Sequence, residues 1–202
     1  MIIVVSEGGP PVVHSIVSQL PDTFPTPLVI CQAFESDAIG GLVNAWDKTS
    51  QLCFKHLSGS LPLSAGVAYV VAYDCDARVD GGSTPPRLRT RRCGSNAEGN
   101  ELPAALLMTA ARVYRESVRI VLVGDTKVPS PGLVKGMFAV IGNGGTICCT
   151  AERRDAAVHC SRLFAEAGIE MSFADVDRVL ALIGAETRSG TGKGQAIKSL
   201  QL

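Results

Sequence analysis

No run of apolar residues in this chain approaches the 18 or so needed to cross a bilayer. The opening Met1-Ile-Ile-Val-Val5 stops at Ser6 and has no basic segment ahead of its apolar residues, so it does not read as a secretory signal. An excess of charge is missing as well. Nineteen Lys and Arg cancel nineteen Asp and Glu, so nothing in the net charge suggests a duplex nucleic acid or an anionic membrane as the main partner. The seven cysteines form no C-x-x-C pair and are odd in number, so neither a zinc site nor a secreted disulfide framework is encoded. Most lie in apolar stretches and are expected to be buried, reduced thiols. The expectation is a soluble cytoplasmic protein with no metal and no cofactor.

What is present is a dense apolar chain: 202 residues, 46% hydrophobic and 19% charged, punctuated by 21 Gly and 11 Pro. That is enough for one sizeable core. Short apolar runs alternate with longer amphipathic ones, the rhythm of a parallel sheet covered by helices. Strands are expected at Ile2–Val5, Pro27–Gln32, Gln51–His56, Gly66–Ala72, Arg119–Gly124 and Thr146–Cys149. Four apolar residues in succession mark Arg119–Gly124 as central. Helices are expected from the Pro10-Pro11 turn to about Gln19, then over Asp37–Thr49, Leu102–Arg115, Gly132–Ile141, Arg153–Ala167 and Phe173–Ala185. In the third of these Leu106, Ala110 and Val113 should face inward, and Ser172 with Asp175 reads as the cap of the last. Between Arg78 and Asn100 no helical or strand period is visible, so the segment reads as an excursion or hairpin with solvated arginines. The expected fold is α/β, a doubly wound, mainly parallel sheet with helices on both faces. It would occupy residues 1–186, with 187–202 as a flexible tail.

In such sheets ligands collect beyond the carboxyl ends of the strands, near a reversal of strand order. That rule gathers Ser6 and Glu7, then Gln32 to Glu35, then Asp125 to Lys127, and Thr150. Ser6 stands before Gly8-Gly9 and a helix N-terminus, where backbone amides could steady an oxyanion. Ser6 is therefore the candidate nucleophile, and Glu7, Gly8, Gly9, Gln32 and Asp125 are candidate substrate-binding residues.

The Ser6-x-Gly8-Gly9 turn, the Leu28-Val-Ile-Cys-Gln32 strand, the Leu61–Tyr69 stretch, Ile120-Val-Leu-Val-Gly124 and Ala167-Gly168 follow one another in an order and spacing that resemble the catalytic domain of the CheB chemotaxis receptor methylesterases. The resemblance covers nearly the whole chain. It implies the CheB-type fold and a Ser, His and Asp set that cleaves γ-glutamyl methyl esters on chemoreceptor helices. Of that set it places only the serine, at Ser6. The threonine usually next to it is Glu7, the histidine falls on Ala33, and the aspartate falls on or near Val128. The Arg-Pro-Ser-Val-Asp segment of the family is Leu102-Pro-Ala-Ala-Leu106 here.

Loss of the base of a serine triad costs on the order of 10⁶ in turnover, so no useful methylesterase activity is expected. The resemblance then implies a catalytically degenerate homologue, a binding or regulatory component of a chemosensory pathway whose partner is a chemoreceptor or a coupling protein. The alternative is an active methylesterase or deamidase in which Ser6 works with a carboxylate such as Asp125 or Glu7. A carboxylate of pKa near 4 is a weak base for an alcohol unless burial raises it. His14, on the helix after Ser6, and His56 and His159, farther along, read as structural. Pro86-Arg-Leu-Arg-Thr-Arg-Arg92 could meet an acidic protein surface or a phosphate, but lacks the interleaved aromatics of single-strand binders. Ser189-Gly-Thr-Gly-Lys-Gly194 follows a helix rather than a strand and is no phosphate loop.

Overall fold

The computed structural model describes residues 1–6, 10–34, 36–73, 75–92, 102–124 and 130–189. In chain order its strands are β1 (Ile2–Ser6), β2 (Leu28–Gln32), β3 (Cys53–His56), β4 (Ser60–Pro62), β5 (Val67–Ala72), β6 (Cys75–Asp80), β7 (Arg87–Arg92), β8 (Arg119–Val123), β9 (Thr146–Thr150) and β10 (Ser172–Phe173). The helices are α1 (Pro10–Val17), α2 (Ser36–Thr49), α3 (Leu102–Tyr114), α4 (Pro131–Gly142), α5 (Arg154–Glu166) and α6 (Val176–Ser189). A seven-stranded parallel sheet runs β10-β9-β8-β1-β2-β5-β3, and a second, antiparallel sheet runs β4-β7-β6.

Apolar side chains on consecutive positions place a strand between two helical layers, because such a strand has no face it can leave in water. Every residue of β2 is buried, and Ile2 to Val5 and Ile120 to Val123 are at most 2% exposed. Helix α1 packs with α6 and α3 packs with α4. Right-handed crossovers put those pairs on opposite faces of the sheet. Helices α3 and α4 approach closely because Gly136 lacks a side chain, and a Cβ there would come within 2.9 Å of Leu107. The turn into β5 depends on Gly66, whose φ of +71° places a hypothetical Cβ 2.4 Å from the Asp22 carbonyl oxygen.

Several elements differ from the sequence expectation. The 78–100 segment is the hairpin of the two alternatives, but with a strand period where none was expected: β6 and β7 pair antiparallel and β4 joins them, and residues 93–101 lie outside the described residues. The alternation is present, since Ala77, Val79 and Leu88 point inward, but β7 fills its outer positions with arginine and so reads as merely charged. Ser172 does not cap the last helix. It lies in β10, paired with Cys148, and Asp175 is the cap, its Oδ1 accepting the Arg178 amide at 2.8 Å. Helix α1 stops at Val17, short of Gln19, and Val113 is only half-buried. Helix α6 continues to Ser189, into the stretch read as tail, and 190–202 fall outside the described residues. Cys53 is exposed, whereas Cys31, Cys75, Cys148, Cys149 and Cys160 are buried, and Cys93 is outside the described residues.

Candidate functional site at the strand ends

Register aligns the carboxyl ends of the strands in one row. Ser6 is opposite Gln32 on one side and Val123 on the other, Gln32 is opposite Ala72, and Val123 is opposite Thr150. The chain steps from β1 to β2 on one side and later lays β8 on the other side of β1. The strand order therefore reverses beside Ser6, which is where an open α/β sheet leaves a crevice. Gln32 and Thr150, each 1% exposed, are the buried polar side chains among the described residues, and both fall in this row. A buried polar group costs free energy unless it is hydrogen-bonded, so two of them flanking one strand end mark that end as different from the rest of the core. The Thr150 hydroxyl has no hydrogen-bond partner among the described residues.

The backbone around the row is tied together. Gly124, at φ +115°, donates its amide to the Thr150 carbonyl at 3.1 Å. Phe34 donates to the Gln32 carbonyl at 2.7 Å, and Tyr73 donates to the Phe34 carbonyl at 3.2 Å, which joins the exits of β2 and β5. Ser130 caps α4, its hydroxyl accepting the Leu133 amide at 3.2 Å. At the start of α1, Pro10 and Pro11 carry no N–H, so two of the amides a helix N-terminus normally offers an oxyanion are missing.

Of the candidates taken from the sequence, Ser6 and Gln32 share the row. Ala33 follows Gln32 and is exposed, and Thr150, shortlisted by position alone, joins them. Glu7, Gly8, Gly9, Glu35, Asp125, Thr126, Lys127 and Val128 lie outside the described residues. The three histidines of the chain are all placed, and each belongs to another part of the molecule. His14 Nε2 lies 2.9 Å from Thr49 Oγ1 and joins α1 to the end of α2. His159 is exposed on α5, 3.5 Å from an Arg162 nitrogen. His56 ends the edge strand β3, three strand spacings from β1 and so about 14 Å away. With Asp37, Cys75 and Thr90 it lines a separate cavity of about 260 Å³, which its sequence position had not suggested.

Thiol chemistry is suppressed near the row. Burial pushes the Cys31 thiol, next to Gln32, up to about 12. It does the same to Cys149, next to Thr150, where Cys160 and Cys148 add to the effect and bring it to about 12. Cys148 rises to about 11, again by burial. These groups are neutral at physiological pH and are poor nucleophiles. Among the described residues no group of three or more His, Cys, Asp or Glu is placed to hold a metal ion, and no helix is long and apolar enough to cross a membrane.

A model of the CheB methylesterase family matches residues 1–181. The chain belongs to that family. Among similar proteins, the protein-glutamate methylesterase/protein-glutamine glutaminase of Lawsonia intracellularis is 26% identical over 181 residues, covering 87% of this chain and 48% of its own length. One from Oleidesulfovibrio alaskensis is 28% identical over 176 residues, covering 86% and 46%. The chain thus spans about half the length of the curated relatives it matches. The crystal structure of the Thermotoga maritima CheB methylesterase catalytic domain superposes with a TM-score of 0.74 at 21% identity, over 90% of this chain and 95% of that one. The fold is the α/β fold of the CheB catalytic domain, to which the strand-end row belongs.

Proposed function

We propose that this CheB-family domain is a catalytically degenerate homologue that binds rather than hydrolyses, a regulatory or docking component of a chemosensory pathway. Its partner would be a chemoreceptor or a coupling protein. The observation that carries the reading is the placement of the histidines: the chain has three, and none stands at the strand ends beside Ser6. A serine hydroxyl attacks an ester only when a neighbouring base accepts its proton. At the position where the family resemblance puts that base, this chain has the methyl group of Ala33. The two prolines opening α1 support the same reading, because they remove donors that would stabilise a tetrahedral oxyanion. Gln32 and Thr150 keep the row polar, which suits recognition of an amide or carboxylate without chemistry on it.

The test is methanol release from a methylated chemoreceptor fragment by the purified protein. The expected rate equals that of the Ser6→Ala variant and of the uncatalysed control. Release that Ser6→Ala abolishes overturns the reading and turns attention to Asp125 or Glu7 as the base.

A further inference from the structure

The outer face of the antiparallel sheet concentrates positive charge. Cross-strand partners share a face, so Asp76 with Arg91, Arg78 with Arg89, and Asp80 with Arg87 all stand on the side away from the buried Ala77, Val79 and Leu88. Four guanidiniums and two carboxylates thus occupy one small surface of a chain whose overall charge is zero. The central pair is the informative one. Arg78 and Arg89 are directly opposite, a like-charge arrangement that costs stability in an antiparallel pair. Each reaches away to a carboxylate: Arg78 Nε to Asp76 at 3.0 Å and Arg89 Nη2 to Asp80 at 2.6 Å. Their side chains are nevertheless 62% and 59% exposed. Arg87 is held at the margin by Ser60, through its hydroxyl and its carbonyl, both at 2.9 Å. The result is an ordered set of guanidiniums, pre-positioned at little further entropic cost and still open to an incoming anion.

We infer that this face docks an acidic helix of a protein partner. Arginines at alternate positions of β7 stand about 6.7 Å apart, close to the 6 Å rise between carboxylates at i and i+4 of a helix. A continuous polyanion such as a nucleic acid fits less well, because Asp76 and Asp80 would face its phosphates and no aromatic side chain lies in β6 or β7 for base stacking. A helix of mixed sign, mostly acidic, meets both the arginines and the two aspartates. The sheet that carries the face begins shortly after the end of β5, whose Ala72 is opposite Gln32 in the strand-end row. The inference gives a location and a chemistry to the partner of the docking reading above and rests on that reading for the partner's existence. It does not depend on whether Ser6 is inert.

The experiment uses the whole chain and a fluorescein-labelled alanine-based helical peptide with glutamate at every fourth position, beside the same peptide with glutamine in those places. Fluorescence anisotropy should show binding of the acidic peptide, weakened as NaCl rises from about 50 to about 300 mM, and little binding of the glutamine peptide. The Arg78→Gln/Arg89→Gln double variant should bind on the order of tenfold more weakly with an unchanged circular dichroism spectrum. Equal affinity for the two peptides, or an unaffected double variant, overturns the proposal. Tighter binding of a single-stranded or duplex oligonucleotide than of the acidic peptide overturns the choice of partner. A methanol-release assay on the same preparations separates the two ideas: Ser6-dependent turnover with arginine-dependent peptide binding sinks the inert-site reading and leaves this one standing.

Discussion

The two sheets of this domain meet water in opposite ways. In the parallel sheet, β2 is buried along its full length and the outward signal is silence, five residues with no polar face except the Gln32 end. In the antiparallel sheet, β6 alternates buried and open positions and β7 alternates arginine with Leu88 and Thr90. One sheet is held by two layers of helix and the other by a single apolar face, so the first is a scaffold and the second leaves in water the face on which the proposed partner would dock.

That contrast can be broken first in the scaffold. Ile30→Ala removes a fully buried side chain from the middle of β2 and should lower unfolding free energy by about 2–5 kcal/mol, read from urea denaturation. A loss below about 1 kcal/mol would mean that β2 is not the interior strand described. A second, smaller effect comes from the thiols. Cys31 and Cys149 are raised to about 12 and Cys148 to about 11 by burial, from an ordinary value of 9.0. The folded state therefore holds these protons where the unfolded chain releases them. Their contribution is complete below pH 9 and is lost as the pH climbs through 11 and 12. Urea midpoints should fall from pH 9 upward, and Cys31→Val should flatten that fall. An identical slope in the variant would contradict the assignment. The smallest effect is expected on the antiparallel face. Arg78→Gln relieves a like-charge pair and gives up an exposed ion pair, so stability should change by no more than about 0.5 kcal/mol. A larger loss would mean that the arginines serve the fold and not a partner.

The same contrast governs what could be read from residue order. Strands of the parallel sheet are legible because burial on both faces forces an unbroken apolar run, as in Leu28–Gln32 and Ile120–Val123. The hairpin hid its period under arginine, and β4 and β10, three and two residues long, are too short to show any period. Ser172 was a plausible cap by residue type. Pairing with β9 took it into the sheet and left the role to Asp175. At the site, Ser6 and Gln32 were found because strand ends are positional, and Thr150 entered the same way. Their neighbourhood across the sheet was not legible, since register is a property of pairing and not of any one segment. Nor did sequence reveal that α1 begins by withholding two amides, although both prolines were in plain view. They read first as good helix starters, and only their place beside Ser6 gives them a chemical meaning.

The proposed function depends most on Ser6 having no proton acceptor, and a fluorophosphonate, which phosphonylates activated serines with loss of fluoride, probes this directly. Followed by mass spectrometry of the intact protein from pH 6 to pH 9, Ser6 is predicted to label no faster than a serine in an unstructured peptide. Stoichiometric labelling at Ser6 within minutes, rising with pH as a neighbouring group loses its proton, would contradict it.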